Sequence, residues 1–302
     1  MTESSGVNVE FVVLDLDGDA MLEECLSSIT SQSVKARRVV VYDNGSRAPV
    51  SGRIDAAQLE VTILRSETNI GVARGFNEAI RECQSDYVAL VNNDVVLDAR
   101  WLESMVEAIE SDERIAAVQS IIVQRGGATI DGTGIAFVEG RVVQRDHGLA
   151  LEAASRSAPW GISATAALYR RSALQDVARV DDEVFLSSFF AYYEDVELAA
   201  RLRAREWTTA LVPVPLAAHR GSSTASSLGS RGERIRVRNR YWLARLHKGC
   251  GSIPALLVED MKRMIRHVAG GRLLSVLWTK LGILEGLFGS PGVPTDKSGE
   301  LG

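Results

Sequence analysis

From Val9 to Trp207 the chain alternates short, nearly unbroken apolar runs with stretches in which apolar residues return every three or four positions. The first pattern predicts strands and the second predicts helices packed against them. Strands are expected at 10–14, 38–42, 61–64, 87–91 and 116–121, and helices at 21–30 and 72–82. Leu22, Leu26 and Ile29 fall on one face of the first helix, and Val72, Phe76, Ala79, Ile80 and Cys83 on one face of the second. Between 126 and 148 there are six glycines and no helical period, so a β-hairpin over the domain edge is expected. A helix at 194–206 is followed by WTTALVPVP, a strand that proline should end. This rhythm of βαβ units predicts an α/β domain with a mainly parallel, mixed central sheet flanked by helices.

Beyond it, RGSSTASSLGSRGER has the composition of a mobile loop, and the residues up to 288 have that of helices. The segment 273–288 carries a broad apolar face interrupted by Lys280 and Glu285, too short and charged to span a bilayer. Flanking Lys262, Arg263, Arg266 and Arg272 suit a helix lying in a membrane interface, while ordinary domain packing explains the same stripe. The expected division is therefore an α/β domain over 1–230 and a helical extension over 231–302 ending in a disordered tail.

Charge sharpens that division. Residues 231–302 hold 13 Lys/Arg against 6 Asp/Glu, a net +7, so the first 230 residues carry −12 of the overall −5. The basic part lacks the interleaved aromatics of a single-stranded nucleic-acid binder, so an anionic membrane surface is the expected partner and nucleic acid is not. Cys25, Cys83 and Cys250 form no CxxC pair, which argues against a disulfide framework or structural zinc. The polar start MTESSGVNVE has no basic-then-apolar leader, giving the expectation of a cytoplasmic protein, peripheral at the inner membrane face.

One motif points to phosphate chemistry. FVVLDLDGD ends an apolar strand in DxDG and is similar to the opening motif of haloacid-dehalogenase-like phosphatases, in which Asp15 would attack phosphorus. Asp94 and Asp98 imitate that family's later magnesium-binding acids. However, Asp19 and Asn93 depart from its pattern, and the intermediate Ser/Thr and Lys positions are lacking. This stands as the alternative.

An ordered set of motifs over residues 9 to 245 resembles glycosyltransferase family 2, and within it the bacterial rhamnosyltransferase-like group. They are FVVLDLD, VVVYDNGS, ETNIGVARGFNEAI, YVALVNNDVVLDARWLE, GISATAALYRRSAL, FFAYYEDVELAARLR and HRGSS. The resemblance implies a GT-A fold, a dTDP- or UDP-sugar donor with dTDP-rhamnose first, and a divalent cation, Mg2+ or Mn2+. Asp43 would accept the N3–H of uracil or thymine, although an Asp-Asn-Gly-Ser turn accounts for the same letters. Asn69, Gly71, Arg74 and Asn77 would meet the donor, with Gly71 and Gly75 admitting the diphosphate to a helix start. Asn92, Asn93 and Asp94 occupy the place of the DxD-like motif, with Asp94 and His219 as the metal ligands and Arg220 and Ser222 beside them.

In FFAYYEDVELAARLR, Asp195 takes the place of the general base of an inverting transfer, and Glu194, Trp160 and Gly161 fall on the acceptor side. A buried structural Trp explains Trp160 equally well. The aromatic stretch before the acids would form a sugar-stacking wall. Two departures stand out. Leu16 and Asp17 replace the usual aromatic and Asn, so Asp15 and Asp17 near a diphosphate must meet the base, the ribose or a cation. Asn92 replaces the first acid of DxD, which leaves open a nucleotide-binding relative with little activity. The acceptor implied is a saccharide or polyprenyl-linked saccharide of the cell envelope, with a small secondary metabolite and a homodimer both open. A sugar-nucleotide pyrophosphorylase would need a GxGTRL-like loop that is absent.

Overall fold

A computed structural model of the chain describes residues 7–50, 60–138, 141–221 and 223–292, with side chains from 231 onward in the last stretch. Ser222 and the tail beyond 292 lie outside the described residues. In chain order the elements are β1 (Val9–Asp15), α1 (Ala20–Thr30), β2 (Arg38–Asn44), β3 (Val61–Ser66), α2 (Val72–Glu82), β4 (Tyr87–Asn92), β5 (Val95–Leu97), α3 (Trp101–Glu110) and β6 (Ile115–Gln124). There follow β7 (Ile130–Gly132), β8 (Ile135–Val138), β9 (Arg141–Gln144), β10 (Ala166–Arg170), α4 (Arg171–Val177), α5 (Glu194–Ala204), β11 (Thr208–His219), α6 (Ser223–Leu246), α7 (Ile253–Ala269) and α8 (Leu273–Phe288).

The main sheet runs β3-β2-β1-β4-β10-β6-β11-β5, with β7 added to β6. Its first four strands are parallel, as the βαβ rhythm predicts, and β10 then enters antiparallel between β4 and β6. Both sheet faces are apolar because both are covered. One packs on Leu22, Leu26, Trp101 and Met105 of α1 and α3, the other on Phe76, Leu174 and Leu198 of α2, α4 and α5. Cys25 and Cys83 belong to these two cores.

Two expectations change. Strand β11 does not end at its prolines but continues to His219, slipping register against β6 around Pro215. β5 joins its other edge only at Ala217–His219, so the missing proline N–H groups fall where there is one neighbour and a bulge. The Gly/Ser stretch is not a loop, because α6 begins at Ser223 and passes straight through residue 230. From Arg234 onward α6 packs against α8, which supports the helix as a whole. Among the described residues, no helix is long and apolar enough to cross a membrane.

Candidate active site

The parallel strands β1, β2 and β4 all end on one side of the sheet, where open α/β sheets bind ligands. A cavity of about 400 Å3 opens there. Its wall includes Asn92, Asn93 and Asp94 after β4, Ser163–Thr165 before β10, Tyr192–Val196 at the start of α5, His219 at the end of β11 and Arg236 of α6. The hairpin β8–β9 contributes Val142, Val143 and Gln144, so it covers the site and not merely the domain edge.

Strand pairing brings the two expected metal ligands together. His219 pairs with Val95 of β5, one residue past Asp94, and its Nε2 lies 3.2 Å from Asp94 Oδ1. On the other side, its Nδ1 lies 3.0 Å from Asp131 Oδ2, a partner that the sequence reading missed. Burial opposes a charge on the ring, but Asp131 and Asp94 outweigh it and raise the imidazole pKa to about 10. Adjacent ligands of an octahedral ion with ~2.1 Å bonds stand about 3 Å apart, so the Asp94–His219 spacing fits a divalent cation in place of the proton. A carboxylate on the far ring nitrogen is the usual orienting partner of a metal-bound histidine. Among the described residues, no group of three or more His, Cys, Asp or Glu is placed to hold a metal ion, so further ligands would come from a bound diphosphate and water.

Glu194 and Asp195 open α5, and both face the cavity. Glu194 is buried; desolvation and the neighbouring Asp195 charge push its pKa up to about 8, and its Oε2 has no hydrogen-bond partner among the described residues. Burial also raises Asp195, against the Val196 N–H at 2.8 Å, the Ala164 backbone and Ser163. A proton on either carboxyl relieves the other of a like charge.

The loop before these acids is strained. Phe190, Tyr192 and Tyr193 all take positive φ (65°, 70° and 69°), a region that costs a non-glycine residue about 1–3 kcal/mol. Helix α6 holds them there. The Asn239 side-chain amide, fully buried, donates to the carbonyls of Phe189 (2.9 Å), Ala191 (3.0 Å) and Tyr192 (2.7 Å), and Arg238 Nη2 donates to those of Ser188 and Phe189. From the other side, Ala73 N–H of α2 donates to Phe190 O, and Gly71 (φ 92°) lets that contact form, since a Cβ there would stand 2.6 Å from the Phe190 ring. The expected stacking wall is thus half core: Phe185 and Phe189 are buried, and Tyr192 and Tyr193 alone of its aromatics line the cavity. Asn239→Ala is expected to lower kcat about 100-fold through misplacement of Asp195 while leaving nucleotide affinity nearly unchanged, as steady-state kinetics and calorimetry would show.

The remaining expected site residues have other places. Asn77 does not line the cavity; it brackets the loop to α2, donating to Phe185 O and Ser187 Oγ and accepting from the N–H groups of Val184 and Phe185. Asn69 Oδ1 accepts from Asn44 and from the Gly71 N–H. Arg74 is exposed and faces Glu78, and Arg220 pairs with Glu24. Asp43 caps its own turn, accepting from Ser46 N–H, Val50 N–H and Arg65, so a nucleobase would have to displace one of these donors. Asp17 is tied to the backbone and side chain of Arg47.

Trp160 packs edge-on against Phe137 under Arg203, and Gly161 lies against Ala199 of α5. Asp15 is fully buried, with its oxygens taken by Asn93 and Ser46. It has no room for a phosphate at Oδ1, where even a Cβ on Gly18 would come within 2.1 Å. The phosphatase reading of this aspartate has no support in this geometry.

Comparison with known proteins identifies the family and the fold. The family model described as glycosyl transferase family 2 matches residues 18–178. The chain is 28% identical over 267 residues to proteins named pre-mycofactocin glycosyltransferase from two Mycobacterium tuberculosis strains, CDC 1551 / Oshkosh and H37Rv. The match covers 84% of this chain and 49% of those proteins, so the chain spans about half the length of the curated relatives it matches. Its fold is similar to that of S. aureus TarS 1-349 (TM-score 0.54, 12% identity, covering 93% of this chain and 92% of that one). It is also similar to GalNAc-T7 with UDP, GalNAc and Mn2+ (TM-score 0.57, 14% identity, 79% and 48%). These neighbours are GT-A glycosyltransferases, the fold expected from the motifs.

Proposed function

The chain belongs to glycosyltransferase family 2, and from that premise we propose that it performs inverting, metal-dependent transfer of a sugar from a dTDP- or UDP-sugar to an acceptor hydroxyl. The observation that carries this reading is that one cavity is lined by two pairs: Asp94 with His219, and the neighbouring carboxyls Glu194 and Asp195. Asp94 and His219 would hold a Mg2+ or Mn2+ ion, which when bound would neutralise charge on the departing diphosphate. GalNAc-T7 carries UDP and Mn2+ in its structure, and TarS 1-349 has been solved with UDP, which supports a nucleotide donor and a divalent cation here.

Asp195 takes the proton of the acceptor hydroxyl as its oxygen attacks the anomeric carbon opposite the nucleotide. Glu194, whose Oε2 has no partner among the described residues, holds the acceptor in place. Asn92 and Asn93 supply neutral contacts near the diphosphate, and dTDP-rhamnose remains the first donor to try. The acceptor is a saccharide, lipid-linked in cell-envelope synthesis. The printed name of the M. tuberculosis relatives makes a pre-mycofactocin-type acceptor the second reading.

Calorimetric titration with dTDP, UDP and GDP, with and without Mg2+ or Mn2+, tests the donor site. The expected result is metal-dependent binding of dTDP or UDP in preference to GDP, with the metal dependence lost in Asp94→Ala. Absence of nucleotide binding with either metal would overturn the reading. Binding without turnover across a sugar-nucleotide library would assign a nucleotide-binding relative instead.

A further inference from the structure

Helices α7 and α8 are joined by a short turn at Gly270–Arg272 and pack on each other and on α6. The inner side of α8 is set by Gly282 and Gly286, where a Cβ would strike Arg234 O at 2.6 Å and Tyr241 Cβ at 2.5 Å. The outer side is apolar. Leu257, Val258, Met261, Ile265 and Val268 of α7 recur at helical spacing and are exposed, as are Leu273, Leu274, Leu277, Leu284 and Phe288 of α8, the last at 80%. Monomeric soluble surfaces rarely carry contiguous stripes of this kind without a partner.

Charge on the same two helices is sorted. Their three acids all turn inward to basic residues: Glu259 to Arg240 and Arg263, fully buried Asp260 to Arg240 and the Tyr241 hydroxyl, and Glu285 to Arg234. Their exposed charges are all basic, namely Lys262 and Arg266 on α7, Arg272 in the turn and Lys280 on α8. A second copy docked on this face would set these cations against one another with no exposed acid of either helix to answer them. A phospholipid leaflet with anionic headgroups answers both features, taking the apolar side chains below the headgroups and the basic ones among them.

We propose that the outer face of α7–α8 is a reversible docking surface for an anionic lipid bilayer. This deepens the lipid-linked acceptor reading, but it rests on the surface itself and can be tested without donor or acceptor. It also has a geometric consequence. α6, which holds the base loop through Asn239, packs directly on α8, so the docked helices and that loop are connected through α6.

The test is co-sedimentation of the full chain with phosphatidylcholine vesicles, with and without phosphatidylglycerol, at low and high salt. Binding is expected only with phosphatidylglycerol and should weaken with salt. It should fall about fivefold for each of Lys262→Ala and Arg272→Ala, and should be lost in Leu273→Asp, whose site is exposed and whose fold circular dichroism would verify. No vesicle binding, or equal binding to neutral vesicles, would overturn the proposal. So would concentration-dependent dimers by sedimentation that Leu273→Asp abolishes while vesicles fail to bind. None of these outcomes bears on sugar transfer, which the nucleotide titration decides separately.

Discussion

Asp195→Asn should lower turnover by about 10²–10⁴-fold while leaving metal-dependent nucleotide binding nearly intact. The amide preserves the shape of the side chain and can still accept from the Val196 N–H, 2.8 Å from Asp195 Oδ1, so α5 keeps its first turn. What it loses is the ability to take a proton from an incoming hydroxyl. The measurement is steady-state transfer alongside calorimetry of the nucleotide with Mg2+ or Mn2+. Full turnover in the variant would remove Asp195 from the role of base. Loss of nucleotide affinity together with turnover would mean that the substitution damaged the site as a whole.

The largest expected effect on stability comes two residues further along the same helix. Glu197 is fully buried and meets Arg179 Nη2 at 3.0 Å, Arg201 Nη2 at 2.8 Å and His247 Nε2 at 3.1 Å. Burial alone would raise its pKa, but Arg201, His247 and Arg179 outweigh burial and hold it well below 4.5. Glu197→Gln leaves partly buried cations short of their anion, a loss of about 3–5 kcal/mol and a fall in Tm on the order of 10 °C. The pH dependence has a definite sign. A carboxylate with a depressed folded pKa contributes its stability above the unfolded value near 4.5, and that contribution disappears as pH falls through the folded value. Thermal unfolding at neutral pH and at progressively lower pH would show the wild type approaching the variant as acid is added. An unchanged gap would mean that Glu197 acts through packing alone.

The two residues differ in how far they could be read from the sequence. Asp195 was legible as a candidate base because it belongs to an ordered series of motifs, whereas Glu197 in VELAARLR has the look of one more surface charge in an i,i+4 pair. Strands β1 to β4 and β6 and helices α1 and α2 were legible from period alone, whereas β5 and α3 were not expected, and α2 has the predicted bounds because Phe76, Ala79 and Ile80 repeat on one buried face. What period does not reveal is where a polar side chain is spent across the fold. Asn77 and Asn69 lie in a donor motif yet hold backbone in place, and Asp131 and Asn239 lie in no quoted motif yet reach His219 and the base loop. The Gly/Ser run was misjudged for a related reason, since propensity is local and the surface that stabilises α6 is not. The apolar stripe on α8 was ambiguous between packing and an interface, and the helix has a packed side at Gly282 and Gly286 and an open one at Leu277 and Leu284.

The fastening of the base loop by Asn239 has a consequence for synthesis. Asn239 follows Asp195 in the chain, with all of β11 and most of α6 between them. A nascent chain emerging N-terminus first can therefore pair β1 through β10 and form α5 before the three carbonyls of the strained loop have their donor. Until α6 leaves the ribosome and docks, nothing from that helix offsets the strain of Phe190, Tyr192 and Tyr193. The growing chain thus acquires its sheet early and the fixed geometry of the loop before Glu194 and Asp195 late.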